Sequence, residues 1–103
     1  MVHSPMSYEI LIHPEAAKEI AALDRSVRLL VFKQIKKLSK MPGLGAQLGN
    51  KMGIDLSGYR KIYVDKKKIR IVYKIVEERI VVQIIAVGKR EGMQVYQNAA
   101  KRL

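Results

Sequence analysis

The sequence predicts one α+β domain, in which an N-terminal strand and a helical hairpin pack on a small antiparallel-rich sheet. Two patterns indicate this class: apolar residues recur at helical spacing in the first half of the chain and alternate at strand spacing in the second. A length of 103 residues with 49% hydrophobic side chains is enough for a single core. The expected element order is β-α-α-β-β-β-α, in one domain spanning residues 1–103.

The first two predicted elements are a strand and a helix. Residues 8–13 (YEILIH) form a β-rich run. Pro14 suits the first turn of a helix, where its missing N–H costs no hydrogen bond. Residues 16–23 then place apolar side chains on one helical face. His13 lies at the junction, and we expect it to cap the helix or to lie at the surface.

A second helix completes the predicted hairpin. Asp24 or Ser26 can cap its N-terminus. Residues 27–38 repeat apolar side chains at helical spacing, with lysine and arginine on the other side. The Met-Pro-Gly sequence at residues 41–43 ends the helix.

Three strands are predicted after a glycine-rich segment. Residues 43–58 hold five of the seven glycines, a density typical of a loop. Strand spacing then begins, with short turns expected at residues 65–68 and 77–78. The predicted strands are residues 59–64, 69–76 and 79–87.

The last strand and a C-terminal helix close the chain. Residues 80–87 (IVVQIIAV) are apolar on both sides, which predicts an interior strand covered on each face. Gly88 follows, and we interpret it as a backbone requirement at the strand end. Residues 93–103 predict a short basic helix with apolar side chains available for packing.

Positive charge is concentrated on the predicted sheet. Lys and Arg total 20 against 9 acidic residues, so the net charge is +11; residues 1–50 contribute +3 and residues 51–103 contribute +8. A cationic surface on a folded scaffold attracts polyanions, because binding phosphates releases their condensed counterions. Nucleic acid is therefore the first class of partner to consider.

The composition disfavours several other classes of protein. Cysteine is absent, which excludes disulfides and thiolate metal sites. The sequence has no acidic cluster that suggests a metal and no glycine-rich nucleotide fingerprint. Its longest mostly apolar run is too short to cross a bilayer, and its N-terminus lacks the features of a signal peptide. We therefore expect a cytoplasmic protein that uses no metal or cofactor and has no membrane partner.

Strand alternation gathers basic and phenolic side chains on one face of the sheet. If the apolar sets of two adjacent strands face the helices, the opposite face collects Lys61, Tyr63, Arg70 and Lys74. Cross-strand neighbours on one face lie about 5 Å apart. A phosphodiester bound there would be surrounded by hydrogen-bond donors.

Several segments of the chain resemble the RelE toxins of toxin–antitoxin modules. The segments that carry the resemblance are residues 59–63 (YRKIY), 69–73 (IRIVY), 84–91 (IIAVGKRE), 95–96 (VY) and 99–103 (AAKRL). The element order and the chain length agree over nearly the whole sequence. The resemblance implies a sheet of the microbial-ribonuclease type. It also implies ribosome-dependent cleavage of mRNA by attack of a 2′-OH on the adjacent phosphorus, and an acidic antitoxin that wraps the toxin.

The resemblance also assigns site residues. Lys61 matches a basic position of the family's cleft, Arg70 its phosphate-binding arginine and Arg90 the arginine of Gly-Lys-Arg. Tyr96 matches the catalytic tyrosine near the C-terminus. One family lysine has no equivalent here, because Tyr63 occupies its position.

Cleavage of RNA by 2′-OH attack requires a base for the 2′-OH, charge stabilisation of the phosphorane and an acid for the 5′-oxygen. His3 and His13 both lie outside the basic half of the chain, which disfavours a histidine-based ribonuclease. Tyr96 would act as base or positioner, with a pKa lowered by neighbouring cations. Arg70 and Arg90 would hold the phosphate, and no metal is required.

Further residues are expected to bind RNA around this cleft. They are Tyr63, Lys66, Lys67, Lys68, Lys74 and Lys89. For the lysines of the turn, a solvated surface is the ordinary role. Two alternatives to an endoribonuclease stay open at this point: a ParE-like toxin that inhibits DNA gyrase by binding, and a basic RNA-binding protein without catalytic activity.

Overall fold

The computed structural model describes residues 7–102, so His3 and the rest of residues 1–6 lie outside the described part. Within it the elements are β1 (Glu9–Ile12), α1 (Pro14–Ala21), α2 (Arg25–Lys40), β2 (Ala46–Lys51), β3 (Ile54–Val64), β4 (Ile69–Val76), β5 (Val81–Lys89) and α3 (Gln94–Lys101). The α+β class is confirmed, and the predicted order is confirmed apart from one additional strand. No helix of residues 7–102 is long and apolar enough to span a membrane.

The five strands form one sheet in the order β1-β5-β4-β3-β2. β1 pairs in parallel with β5, and all other neighbours are antiparallel. β5 therefore lies inside the sheet, and most of its side chains are buried, as its apolar sequence predicts. The register of β5 against β4 shifts beside Val72 and Tyr73, which leaves Ile85 without a partner and places it on the same face as Ala86.

The helical hairpin covers one face of the sheet. α1 begins at Pro14, and His13 caps it by accepting a hydrogen bond at Nδ1 from the Glu15 N–H (3.1 Å). α2 begins after Asp24, whose side chain makes no capping bond. The main core lies between these helices and the sheet. Its buried members are Ala16, Ile20, Val31, Ile35, Leu38, Val64, Ile69, Ile71, Tyr73, Val82, Ile84 and Val87.

The opposite face carries a smaller core under α3. Its buried members are Leu48, Leu56, Tyr59, Val72, Ile85, Ala86, Val95, Tyr96 and Ala99. An ion pair fastens α3 to α1: Arg102 Nη2 donates to Glu19 Oε2 at 2.8 Å, and the other carboxylate oxygen accepts from the Val87 N–H. Because α3 has only eight residues, it covers only part of this face.

The expectation of a loop through residues 43–58 is wrong for most of that segment, which forms β2 and the start of β3. The glycines permit an irregular edge hairpin. Met52 and Gly53 form its two-residue turn, both with positive φ (51° and 84°). Gly49 (φ 111°) follows a shift of register in β2.

The connection before β5 differs from expectation, whereas Gly88, near the end of β5, meets the expected backbone requirement through close packing. The predicted turn at residues 77–78 is one turn of 3₁₀ helix, Glu77–Arg79. Gly88 does not have a positive φ. A Cβ at this position would lie 3.3 Å from the Cβ of Val95, so the glycine permits the close approach of α3.

Candidate active site

A lysine and a tyrosine on β3 form the centre of the basic cleft. Lys61 and Tyr63 are two residues apart and therefore share the face that α3 only partly covers. Lys61 Nζ donates a hydrogen bond of 2.6 Å to Tyr63 Oη and lies 4.5 Å from the centre of the ring. The ammonium group is thus held against the phenol at both its oxygen and its ring.

Arg70 on β4 lies directly across from Tyr63 in the strand register. Its guanidinium carbon stacks over the ring of Tyr96 at 4.5 Å, and its Nη1 donates to the Gly92 carbonyl at 3.2 Å. Nε is buried and has no acceptor among residues 7–102. A buried donor without an acceptor is rare in proteins, and a catalytic role is one of its recognised explanations.

Arg90 approaches from the segment after β5. Its backbone N–H donates to the Lys68 carbonyl at 2.9 Å, which ties this segment to the turn between β3 and β4. The exposed guanidinium lies 5.7 Å from the centre of the Tyr63 ring. Tyr63 is therefore flanked by cations from three parts of the chain.

The cations change the acidity of the central phenol. The hydrogen bond from Lys61 is the largest cause, and with Arg90 and Arg70 it lowers the pKa of Tyr63 from 10.0 to about 8, against the opposing effect of burial. The phenolate form is stabilised by donors and positive charge that are already in position. This is the shift that the sequence analysis expected for Tyr96.

Tyr96 takes a different position from the one expected. Only 3% of the residue is exposed, and it packs in the smaller core beneath α3. Its contact with the cleft is the ring face under Arg70. Of the two roles expected for Tyr96, base or positioner, this burial under Arg70 favours the positioner.

Lys74 does not join the cleft, although it lies on the predicted face. Four residues of extended strand separate it from Arg70, roughly 13 Å. The intervening Val72 is buried under α3. Lys74 instead lies 5.8 Å from the ring of Tyr59, which is 9% exposed and packs in the smaller core.

The remaining predicted lysines form the rim of the cleft. Lys66, Lys67, Lys68 and Lys89 are exposed, and with Arg90 they line one groove. Asp65, Lys66 and Lys67 all have positive φ (55°, 53° and 68°). Three consecutive left-handed residues other than glycine are strained, and strain of this kind concentrates at functional sites.

Helix α2 contributes cleft residues that the sequence analysis left out. A second groove runs from the rim to α2 and is lined by Leu30, Lys33, Gln34, Lys37, Tyr63, Val64, Asp65, Lys66 and Lys67. Gln34 Nε2 donates to the Tyr63 carbonyl at 3.4 Å, which links the helix to β3. The signal was present in the sequence: Lys33 and Lys37 are spaced i, i+4 and so share one side of the helix.

Few of the cations have acidic partners within the protein. Among residues 7–102 only two ion pairs form, Lys18–Glu15 and Arg102–Glu19, and neither lies in the cleft. The cleft therefore retains a strong positive potential. Such a site is suited to bind a phosphodiester and to stabilise the additional negative charge of a pentacoordinate phosphorus.

The fold and this cationic cleft define a class of small toxins. Residues 10–93 match the family described as the ParE toxin of type II toxin-antitoxin systems, parDE. The mRNA interferase toxin RelE of Escherichia coli K12 is 33% identical over 98 residues, which cover 95% of this chain and 99% of that protein. The chain therefore belongs to the RelE/ParE superfamily, and it is a RelE-like toxin of the type II class.

Solved structures agree with this assignment. A double arginine mutant of E. coli RelE in the free state superposes with a TM-score of 0.75 at 30% identity, covering 95% of this chain and 99% of that one. The same mutant in complex with a peptide of the antitoxin RelB gives a TM-score of 0.69 at 30% identity, with the same coverage. The RelE-like fold expected from the sequence is confirmed.

Proposed function

We propose that this toxin is a ribosome-dependent mRNA endonuclease that cleaves by attack of a 2′-OH on the adjacent phosphodiester. One observation carries the proposal: Lys61, Arg70 and Arg90 converge on a single phenol, Tyr63, at the uncovered end of the sheet. A reaction at phosphorus needs concentrated positive charge together with a group that exchanges a proton.

Each side chain has a role in the proposed reaction. Arg70 and Arg90 bind the non-bridging oxygens and stabilise the phosphorane, and Arg90 also stabilises the departing 5′-oxygen. Lys61 adds charge to the cleft and holds Tyr63. Tyr96 positions Arg70 by stacking. These side chains supply the charge stabilisation, so no step is assigned to a metal ion.

The proposed partners follow from the charge of the molecule. The cleft is open, and its two grooves carry lysines from α2, the rim and the segment after β5. The ribosome would hold mRNA and present phosphates to these lysines. An acidic antitoxin would neutralise the same surface, as the RelB complex of the E. coli relative suggests.

The match to the ParE family supports a second candidate, a toxin that inhibits DNA gyrase by binding. An inhibitor of that kind needs no phenol with a lowered pKa. The Tyr63 cluster therefore favours RNA cleavage over inhibition.

Induction of the toxin in cells separates these functions. We expect growth arrest with new mRNA 5′ ends in translated frames, and we expect both to disappear in Arg90→Ala. Arg79→Ala is the matched control, because Arg79 is exposed and follows the far end of β4 from Arg70. Growth arrest with intact mRNA and altered plasmid supercoiling would support the gyrase inhibitor instead. Unimpeded growth would contradict both candidate functions, the mRNA endonuclease and the gyrase inhibitor.

A further inference from the structure

We propose that Tyr63 is the general base of the RNA cleavage, with its phenolate oxygen held by Lys61. The inference rests on the proposed function and adds a residue-level assignment to it. Among residues 7–102, the phenol oxygen of Tyr63 is a proton-accepting group held against three cations, Lys61, Arg70 and Arg90.

Other groups are poorly placed for this role. Tyr96 is buried beneath the guanidinium of Arg70. His13 Nδ1 already accepts the capping bond of α1, on the helical-hairpin side of the molecule. Lys61 is the donor in its bond to Tyr63, so it acts as a charged partner of the phenol.

Most of the charged groups around Tyr63 are cationic. The groups that line its cleft and the adjoining grooves are Lys61, Arg70, Arg90, Lys33, Lys37, Lys66, Lys67, Lys68 and Lys89, with Asp65 and Glu91 as the acidic members. A bound phosphodiester would add one negative charge at the Arg70–Arg90 side. The excess of positive charge stabilises the phenolate and so keeps the pKa of Tyr63 below that of an ordinary tyrosine.

The acidity of Tyr63 supports the assignment quantitatively. With a pKa of about 8, roughly one molecule in ten carries the phenolate at pH 7. An ordinary tyrosine with a pKa near 10 would carry it in roughly one molecule in a thousand. The cluster thus raises the population of active base by about a hundredfold while keeping the phenolate basic enough to take a proton.

The proposed step is a transesterification at phosphorus. Tyr63 Oη takes the proton of the 2′-OH, the 2′-oxygen forms its bond to phosphorus, and the bond from phosphorus to the 5′-oxygen breaks. The products are a 2′,3′-cyclic phosphate and a 5′-alkoxide stabilised by Arg90. The alkoxide takes a proton from water, and the resulting hydroxide removes the proton from Tyr63, which restores the phenolate.

The ionisation of Tyr63 can be measured without any substrate. An ultraviolet titration of phenolate absorbance should show one tyrosine ionising near pH 8, and this component should be absent in Tyr63→Phe. The bond to Glu77 raises the pKa of Tyr8, and burial raises the pKa of Tyr59 and Tyr73, so these three ionise at higher pH. In Lys61→Met the component should move to higher pH. If Tyr63→Phe leaves it unchanged, the assignment of the ionising group is wrong.

The catalytic role is tested by cleavage of mRNA on purified ribosomes between pH 6 and 9. For the wild type we expect the rate constant to rise about tenfold per pH unit and to level off near pH 8. Tyr63→Phe should lower it by about 10²–10³-fold and remove the rise with pH, whereas Tyr8→Phe, which also removes one phenol oxygen, should match the wild type. In Lys61→Met, which keeps the phenol, the levelling point should move to higher pH.

The outcomes separate the two proposals. If the wild type cleaves and Tyr63→Phe cleaves at the same rate with the same pH profile, Tyr63 is not the base and the endonuclease proposal stands. If Tyr63→Phe is slow but keeps the wild-type pH profile, Tyr63 only positions its neighbours, and the inference is again overturned. If the wild type cleaves no ribosome-bound mRNA, the proposed function fails and the catalytic role of Tyr63 fails with it.

Discussion

The two faces of the sheet differ in what covers them. The face under α1 and α2 carries a continuous apolar core that includes Ile71 and Ile84, both fully buried. The face under α3 has a smaller core that ends before Tyr63 and Arg70. The comparison indicates that the face under α1 and α2 supplies most of the stability. The other face is left partly uncovered, so that the cations of β3 and β4 can meet a substrate.

The largest effect on stability is expected on the helical-hairpin face. Ile71→Ala removes a fully buried side chain and leaves a cavity, which should lower the free energy of unfolding by roughly 2–5 kcal/mol. Denaturant titration measures the change. Leu29→Ala on α2 is the control, because Leu29 is 59% exposed and its truncation should change stability by only about 0.5 kcal/mol. Equal losses in both variants would contradict the placement of the core.

The opposite result is expected for a residue of the uncovered face. Arg90→Gln should lower the rate of mRNA cleavage by roughly 10²–10³-fold, because it removes charge stabilisation from the phosphorane. Its stability should stay within about 0.5 kcal/mol of the wild type, since Arg90 is exposed. Cleavage rate and unfolding free energy are measured on the same preparation. Arg79→Gln carries the same loss of charge and should keep the wild-type rate.

The Arg102–Glu19 ion pair, which joins α3 on one face to α1 on the other, should make stability depend on pH. Burial raises the pKa of Glu19, but the hydrogen bonds from Arg102, Val87 and Asn98 outweigh it, so the pKa is lowered from its ordinary value of 4.5. Glu19→Gln should therefore cost roughly 1–3 kcal/mol near neutral pH. A lowered pKa stabilises the folded protein above the unfolded pKa, so this difference should shrink as the pH falls below about 4.5.

Unfolding curves of wild type and Glu19→Gln between pH 3 and 7 measure that difference. Glu15→Gln is the matched control, because the Glu15–Lys18 ion pair is exposed and should contribute under about 1 kcal/mol. A difference for Glu19→Gln that stays constant down to pH 3 would contradict the role of this carboxylate in holding α3.

The smallest expected effect concerns the groove along α2. Lys33→Gln and Lys37→Gln should each weaken binding to RNA and reduce the salt dependence of the affinity by about one phosphate contact. Binding isotherms at several salt concentrations measure this slope. Lys36→Gln changes the same charge on the same helix outside the groove, and it should leave the slope nearly unchanged. Equal slopes for all three variants would show that the groove does not bind RNA.

Much of the fold was predictable because local patterns and tertiary packing agree. The spacing of Val31, Ile35 and Leu38 predicted the buried face of α2, and the apolar sequence of β5 predicted its interior position. β2 was missed because glycine density signals a loop, whereas Gly49 and Gly53 here permit the positive φ angles of an edge hairpin. Such irregularity depends on pairing with β3, which local sequence does not report.

The sequence predicted which residues lie in the candidate site better than it predicted what each residue does there. The alternation of side chains along the strands predicted that Lys61, Tyr63 and Arg70 share one face, and the register confirms this geometry. Whether Tyr96 and Lys74 lie in the cleft depends on where α3 crosses the sheet, which the alternation of side chains does not specify. For the same reason Tyr96 appeared from the sequence to be the acidic phenol, although the cations surround Tyr63.

The most direct test of the central claim uses ribosomes that carry an mRNA with one 2′-deoxy nucleotide at the mapped cleavage position. With the all-ribose mRNA, the wild-type toxin should produce a 2′,3′-cyclic phosphate at the new 3′ end. With the 2′-deoxy mRNA, cleavage at that position should be lost, because the attacking oxygen is absent. Cleavage of both messages at the same rate would contradict the account.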